Sequence, residues 1–373
     1  MEKPVGSLIS FMANKVKSNG GINLAQGIPA FDPPQELLEI LQQHTNDNIH
    51  QYAPGKGNHQ LLELLEKYYN IPQKNFLIVN GATEAMSLLV TYILSIEKTD
   101  FSFLAFDPVY ESYKHLPRIF NKKFVPFSFD DNATINFSVL EKVIVKDKVK
   151  VIFISSPGNP FGKVWTEQEM RQLVDICNKH KVYVIFDSVY SELYYNEVPF
   201  SPAKLVSEYV FYVNSFSKKF SITGWRIGYI VAHNSHMSSI MDVHDYVGLC
   251  APSLLQQAIA TYLHKYDFGK EYVKKLRIML KENYSHLSQA LEKLGFTNSA
   301  TQGGYFVWAQ LPSRYNDGLE FALKLYEQKK VATVPGIHFS EKGKRYIRFN
   351  IARYPEEINM AVKGIEEFLE TKS

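Results

Sequence analysis

Cysteine is scarce. Cys177 and Cys250 stand far apart, with no CxxC pair or His/Cys cluster around them, so neither a disulfide framework nor a zinc site is expected. Both read as small buried hydrophobes of a reducing compartment. Long apolar runs are missing too: none approaches the ~18 residues that cross a bilayer. The first twenty residues contain Lys3, Lys15 and Lys17 and lack the continuous apolar core of a signal peptide. A cytoplasmic location without a membrane partner is therefore expected. Charge of one sign is also lacking. The 41 Lys and Arg against 38 Asp and Glu leave +3, too weak and too evenly spread a bias to suit nucleic acid. No internal repeat or low-complexity tract interrupts the chain.

What is present is an ordinary globular balance, 45% apolar and 21% charged, in a chain too long for one simple core. Two domains, or one elaborate domain, are expected. From about Gln35 onward, strand-like runs alternate with helix-like ones. Asn75–Asn80, Val149–Ile154, Val182–Phe186 and Tyr209–Asn214 are nearly unbroken apolar segments, as strands buried on both faces require. Glu84–Ile96 has helical spacing, and Thr166-Glu-Gln-Glu169 is a capping-box pattern opening a helix that ends near Lys179. This alternation predicts an α/β fold, a mostly parallel sheet between helices. Beyond the charged amphipathic stretch Lys270–Leu294 the order becomes strand (305–311), helix (318–329), strand (331–334), strand (346–352), helix (355–369), a small α+β unit. The expected division is a large domain over 34–275, a small domain over 276–373 and an N-terminal segment 1–33 with no core of its own.

Four turns after buried strands hold reactive side chains. In Asn214-Ser-Phe-Ser-Lys218-Lys219, Lys218 sits beyond a strand's carboxyl end, where open α/β sheets place ligands. Desolvated there, a lysine sheds its proton and attacks carbonyls. Ser215, Ser217 and Arg226 nearby are donors suited to a phosphate monoester. Asp187, in Phe186-Asp-Ser-Val-Tyr190, ends a second strand. That position is commonly a turn cap, yet a carboxylate there could also keep a pyridine nitrogen protonated. Ser155-Ser-Pro-Gly-Asn159-Pro160 makes a tight turn that can thrust the Asn159 amide into a cleft. Asn80-Gly-Ala82-Thr83-Glu84 opens a helix whose free N–H groups suit an anion, without the GxGxxG or Walker spacing of nucleotide sites.

Together these segments resemble the fold-type I, pyridoxal-phosphate-dependent class I/II aminotransferases. The resemblance runs from Asn23 to the C-terminal helix, through six motifs in the family's order: Gly81-Ala-Thr83, Pro157-Gly-Asn159-Pro160, Asp187-x-x-Tyr190, Ser215-x-Ser-Lys218, Gly224-Trp-Arg226-x-Gly228, and Arg348 in Ile347-Arg-Phe-Asn-Ile-Ala352. It implies an enzyme that moves an amino group from an amino acid to a 2-oxo acid with pyridoxal 5'-phosphate and no metal. Lys218 would hold the cofactor covalently and shuttle the substrate proton. Asp187 would pair with the ring nitrogen, Tyr190 and Asn159 with the ring oxygen. Ala82, Thr83, Ser215 and Arg226 would hold the phosphate, and Tyr110 would stack on the ring. Arg348, helped by Gly27, would clamp the substrate α-carboxylate. Tyr52 would reach the phosphate of a neighbouring subunit, which implies a homodimer.

The adjacent Lys219 departs from the family's small polar residue. Lys218 is preferred because the family's anchoring lysine lies eight residues before the phosphate arginine, here Arg226. Around Gln26–Pro34 and Gln51–Pro54 the chain is most similar to methionine and kynurenine (glutamine-type) aminotransferases. Asp245–Leu255, where aspartate-specific members place a second arginine, contains none. A neutral, methionine-like or aromatic donor is therefore expected. A carbon–sulfur β-lyase on the same fold and a non-catalytic cofactor-binding regulator are the alternatives.

Overall fold

A computed structural model describes residues 6–130 and 133–370; Lys3 and the outermost ends of the expected N-terminal segment and small domain lie outside them. Helix Leu8–Asn19, which the sequence reading did not anticipate, turns Met12 and Ala13 into the core. It ends at Gly20 and Gly21, both at positive φ, and a side chain at Gly21 would collide with the Lys330 carbonyl. Glycine is needed there for space as well as conformation. Strand β1 (Ile22–Asn23) follows.

The central sheet has seven strands: β2 (Phe76–Val79), β3 (Ser102–Asp107), β4 (Lys123–Ser128), β5 (Val149–Ser155), β6 (Tyr183–Asp187), β7 (Val210–Ser215) and β8 (Gly228–Val231). Their spatial order is β2-β8-β7-β6-β5-β3-β4. The apolar runs bury nearly every position, because helices such as Gly81–Ile96 and Glu167–His180 connect and cover the strands. The Thr166–Glu169 capping box forms as its spacing predicts. The sheet is parallel except for β8, which runs against both β2 and β7. The connection from β7 to β8 contains only the single helical turn Phe216–Lys219, not the covering helix by which a chain usually returns to a parallel strand.

Four further short strands, β9 (Thr297–Asn298), β10 (Phe306–Gln310), β12 (Val334–Pro335) and β13 (Tyr346–Asn350), form an antiparallel sheet in the order β12-β13-β10-β9. Helix Lys270–Lys293 runs unbroken into this region, where helices Gly318–Lys329 and Pro355–Glu370 pack together. The single strand expected over 331–334 is instead two. β11 (Val331–Ala332) pairs in parallel with β1, and β12 pairs with β13. The chain changes sheets at Thr333 because the N-terminal segment offers a partner edge that the local sequence does not reveal.

That pairing positions the site. The Asn350 amide donates to the carbonyls of Gln26 (2.7 Å) and Ile28 (3.1 Å), holding Gly27 over the carboxyl ends of the central strands.

Candidate active site

A cavity of about 310 Å³ opens at those strand ends. Gly27, Ala82, Thr83, Tyr110, Asn159, Asp187, Tyr190, Ser215, Lys218, Arg226 and Arg348 all line it. Asn159, Asp187 and Lys218 meet there because parallel strands end on one side of a sheet, while Arg348 on β13 and Gly27 reach the cavity from outside that sheet. Tyr52 does not join them. It is 83% exposed and lines a separate surface hollow with His50, Asn80 and residues 248–254.

Lys218 projects from the turn after β7, and its Nζ donates to the Gly27 carbonyl at 2.6 Å. Burial lowers its pKa to about 8; Arg348 and Arg226 push the same way, while Asp187 opposes them. A sizeable share of this amine is thus neutral at cellular pH. Lys219 points elsewhere. Its Nζ lies 2.6 Å from Glu192 Oε1 and over the rings of Phe216 and Phe220.

Asp187, buried at the end of β6, accepts from Tyr113 Oη at 2.6 Å and from the Val189 N–H at 3.2 Å. Burial raises its pKa, opposed by those two hydrogen bonds and by Lys218. Tyr113 was missed by sequence reasoning. Its one local signal is its place a helical turn beyond Tyr110, at the start of helix Glu111–Ile119.

Helix Gly81–Ile96 starts at the cavity, with Ala82 and Thr83 in its lining, so its free first N–H groups suit an anion there. Gly81 has φ +80°, and a Cβ there would strike the Arg226 guanidinium. Arg226 can therefore lie against the helix start, donating to the carbonyls of Thr223 (2.9 Å) and Asn80 (3.1 Å). The Ser215 and Ser217 hydroxyls lie 2.8 Å apart beside it. Cation, hydroxyls and a helix N-terminus in one corner form a cradle for a dianion.

Across the cavity, Arg348 lies buried between Phe306 and Phe339, its guanidinium carbon 4.1 and 4.6 Å from the ring centroids. It donates to Asn159 Oδ1 (2.9 Å) and the Ala25 carbonyl (2.5 Å) and leaves its Nε without a hydrogen-bond partner. Burial lowers its pKa to about 10, with Tyr190, Glu111 and Tyr110 opposing. A buried, under-satisfied guanidinium is suited to a carboxylate.

Anion cradle, activated lysine and buried aspartate together fit pyridoxal 5'-phosphate: a phosphate at Arg226, an aldehyde at Lys218 and a ring nitrogen at Asp187. Among the described residues no cluster of His, Cys, Asp and Glu could hold a metal ion, and no helix is long and apolar enough to cross a membrane.

Comparison with known proteins points the same way. The family profile described as aminotransferase class I and II matches residues 19–365. A Methanocaldococcus jannaschii protein named "Probable aspartate aminotransferase" is 29% identical over 362 residues, covering 94% of this chain and 93% of its own. The Saccharomyces cerevisiae protein named "Probable kynurenine--oxoglutarate transaminase BNA3" is 28% identical, over 92% of this chain and 85% of its own. In fold, the structure of aspartate aminotransferase from Thermus thermophilus with maleate superposes at a TM-score of 0.89, with 22% identity over 98% of this chain and 97% of that one.

Proposed function

Since the chain belongs to the class I and II aminotransferases, enzymes that depend on pyridoxal 5'-phosphate, we propose that its amino donor is a neutral, methionine-like or aromatic amino acid. The observation behind the transaminase site is a lysine with a pKa of about 8, set in one cavity between an anion cradle and a carboxylate-binding arginine. The cofactor, when bound, supplies the electron sink that makes the substrate Cα proton acidic.

The residues of this chain do the rest. Arg226, Ser215, Thr83 and the Ala82 N–H hold the phosphate. Asp187 would keep the ring nitrogen protonated, and Tyr110, on the cavity wall, would stack on the ring. Arg348 has committed Asn159 Oδ1 as its acceptor, so the Asn159 amide N–H is free to serve the ring oxygen alongside Tyr190. Arg348 and Gly27 fix the α-carboxylate, which orients the Cα–H bond toward Lys218. Lys218, displaced from the cofactor by the donor, would be the base placed to remove the Cα proton and the acid to return it.

Support for a neutral side chain comes from Asp245–Leu255, which has no arginine. It lies away from its own chain's cavity, with Tyr246 93% exposed. Together with the exposed Tyr52 this surface fits a second copy of the chain, and sedimentation is expected to show a dimer; a monomer that transaminates at full rate would remove Tyr52 from the site.

Steady-state kinetics over a panel of donors tests the substrate class. Methionine or an aromatic amino acid is expected to exceed aspartate in kcat/KM by about 10- to 200-fold, the discrimination that ~1–3 kcal/mol of pocket fit supports. Arg348→Ala should depress every donor together, since all share the α-carboxylate. Aspartate as the best donor would refute the neutral-substrate reading.

A further inference from the structure

Five charged side chains line the cavity among the described residues: Glu111, Asp187, Lys218, Arg226 and Arg348. Cofactor and α-carboxylate account for four of them. Glu111 has no part in that chemistry, yet it shares the cavity with Ile9, Ser10 and Ile28 and lies near enough to Arg348 to favour its charged form. Its carboxylate lies 3.0 Å from the His338 ring, an ion-pair distance whose angle falls short of a hydrogen bond. The histidine side chain is 7% exposed and that of the glutamate 25%. Burial raises the Glu111 pKa, but His338, then Ser7 and His115, outweigh it and hold the group below the ordinary glutamate value. The pocket therefore presents an ionised carboxylate, half of a partly buried pair with His338, whose free oxygen can still meet a ligand.

We propose that Glu111, braced by His338, is a specificity-determining residue that turns away a distal carboxylate and accepts a hydrogen bond from a neutral side chain ending in an N–H or O–H donor. This rests on the neutral-donor reading and narrows it: methionine, which has no such hydrogen, stays ahead of aspartate but behind a neutral donor that carries one. Like charges in a partly buried site repel strongly, whereas a carboxylate is an acceptor for amide, aniline or hydroxyl hydrogens. The N-terminal helix supplies Ile9 and Ser10 to the same cavity, so its lining includes a segment outside the central sheet.

Glutamine and glutamate are the informative pair, being nearly isosteric and differing in the charge and donor that Glu111 would read. Amino-donor kcat/KM is measured for both on the holoenzyme of the natural sequence and of Glu111→Gln, with Glu111→Ala as a second variant should the first fold poorly. The glutamine-to-glutamate ratio is expected to fall by about tenfold on loss of the charge, roughly the discrimination of one such contact. His338→Gln should lower the ratio less, since the carboxylate remains. Glutamine preferred in the natural enzyme with an unchanged ratio in both Glu111 variants overturns the role of Glu111 and leaves the neutral-donor reading standing. Glutamate preferred in the natural enzyme, and improved further by Glu111→Gln, supports the role of Glu111 and overturns the neutral-donor reading.

Discussion

Lys218→Ala is expected to lower transamination by about 10⁴-fold or more, the upper range of what one acid–base group contributes, because it would remove the proposed covalent anchor and proton carrier together. Lys219→Ala should retain the anchor. It deprives Glu192 of a partner 2.6 Å away, so its effect belongs in thermal stability, as a lowered Tm. Borohydride reduction of the holoenzyme followed by peptide mapping distinguishes the two lysines, and a reduced adduct on Lys219 would refute the assignment. The pH dependence gives a second reading. The neutral amine is the form that captures the cofactor aldehyde, so apoenzyme reconstitution should accelerate as pH rises through about 8 and level off above it. An unburied lysine would keep accelerating toward its ordinary value of 10.5.

Asp187→Ala should slow the half-reaction with amino acid by about 10²- to 10³-fold, the scale found when one preorganised electrostatic partner of a developing charge is removed. Substrate affinity should change far less, because the protonated ring nitrogen matters most as negative charge builds up from Cα. With ¹⁵N-labelled cofactor, the ring nitrogen should move to the chemical shift of a neutral pyridine. Tyr113→Phe tests the support behind it. The phenol hydroxyl at 2.6 Å is the strongest influence opposing the effect of burial on Asp187. Its loss should raise the carboxyl's pKa further and slow the half-reaction by about tenfold, as expected for one hydrogen bond to a charged group. An unchanged half-reaction rate in Asp187→Ala would leave the carboxylate as no more than a turn cap.

The large sheet, the capping box at Thr166 and the strand-end placement of Lys218, Asp187 and Asn159 were legible in the sequence because each is a local pattern. Apolar runs mark strands buried on both faces, and Gly, Pro and small polar residues mark the turns that end them. Between the two adjacent lysines the local pattern is silent: the preference for Lys218 came from the family resemblance, through its separation from Arg226. Tertiary structure alone decided what those turns face. Tyr113 meets Asp187, the Lys218 amine meets Gly27, Tyr305 donates to the Lys218 carbonyl (2.5 Å), and His338 braces Glu111. The reversal of β8 and the division of 331–335 between two sheets belong to the same class. No periodicity records such contacts, because they depend on how separate elements pack, and the burial that lowers the pKa values of Lys218 and Arg348 is created by that packing.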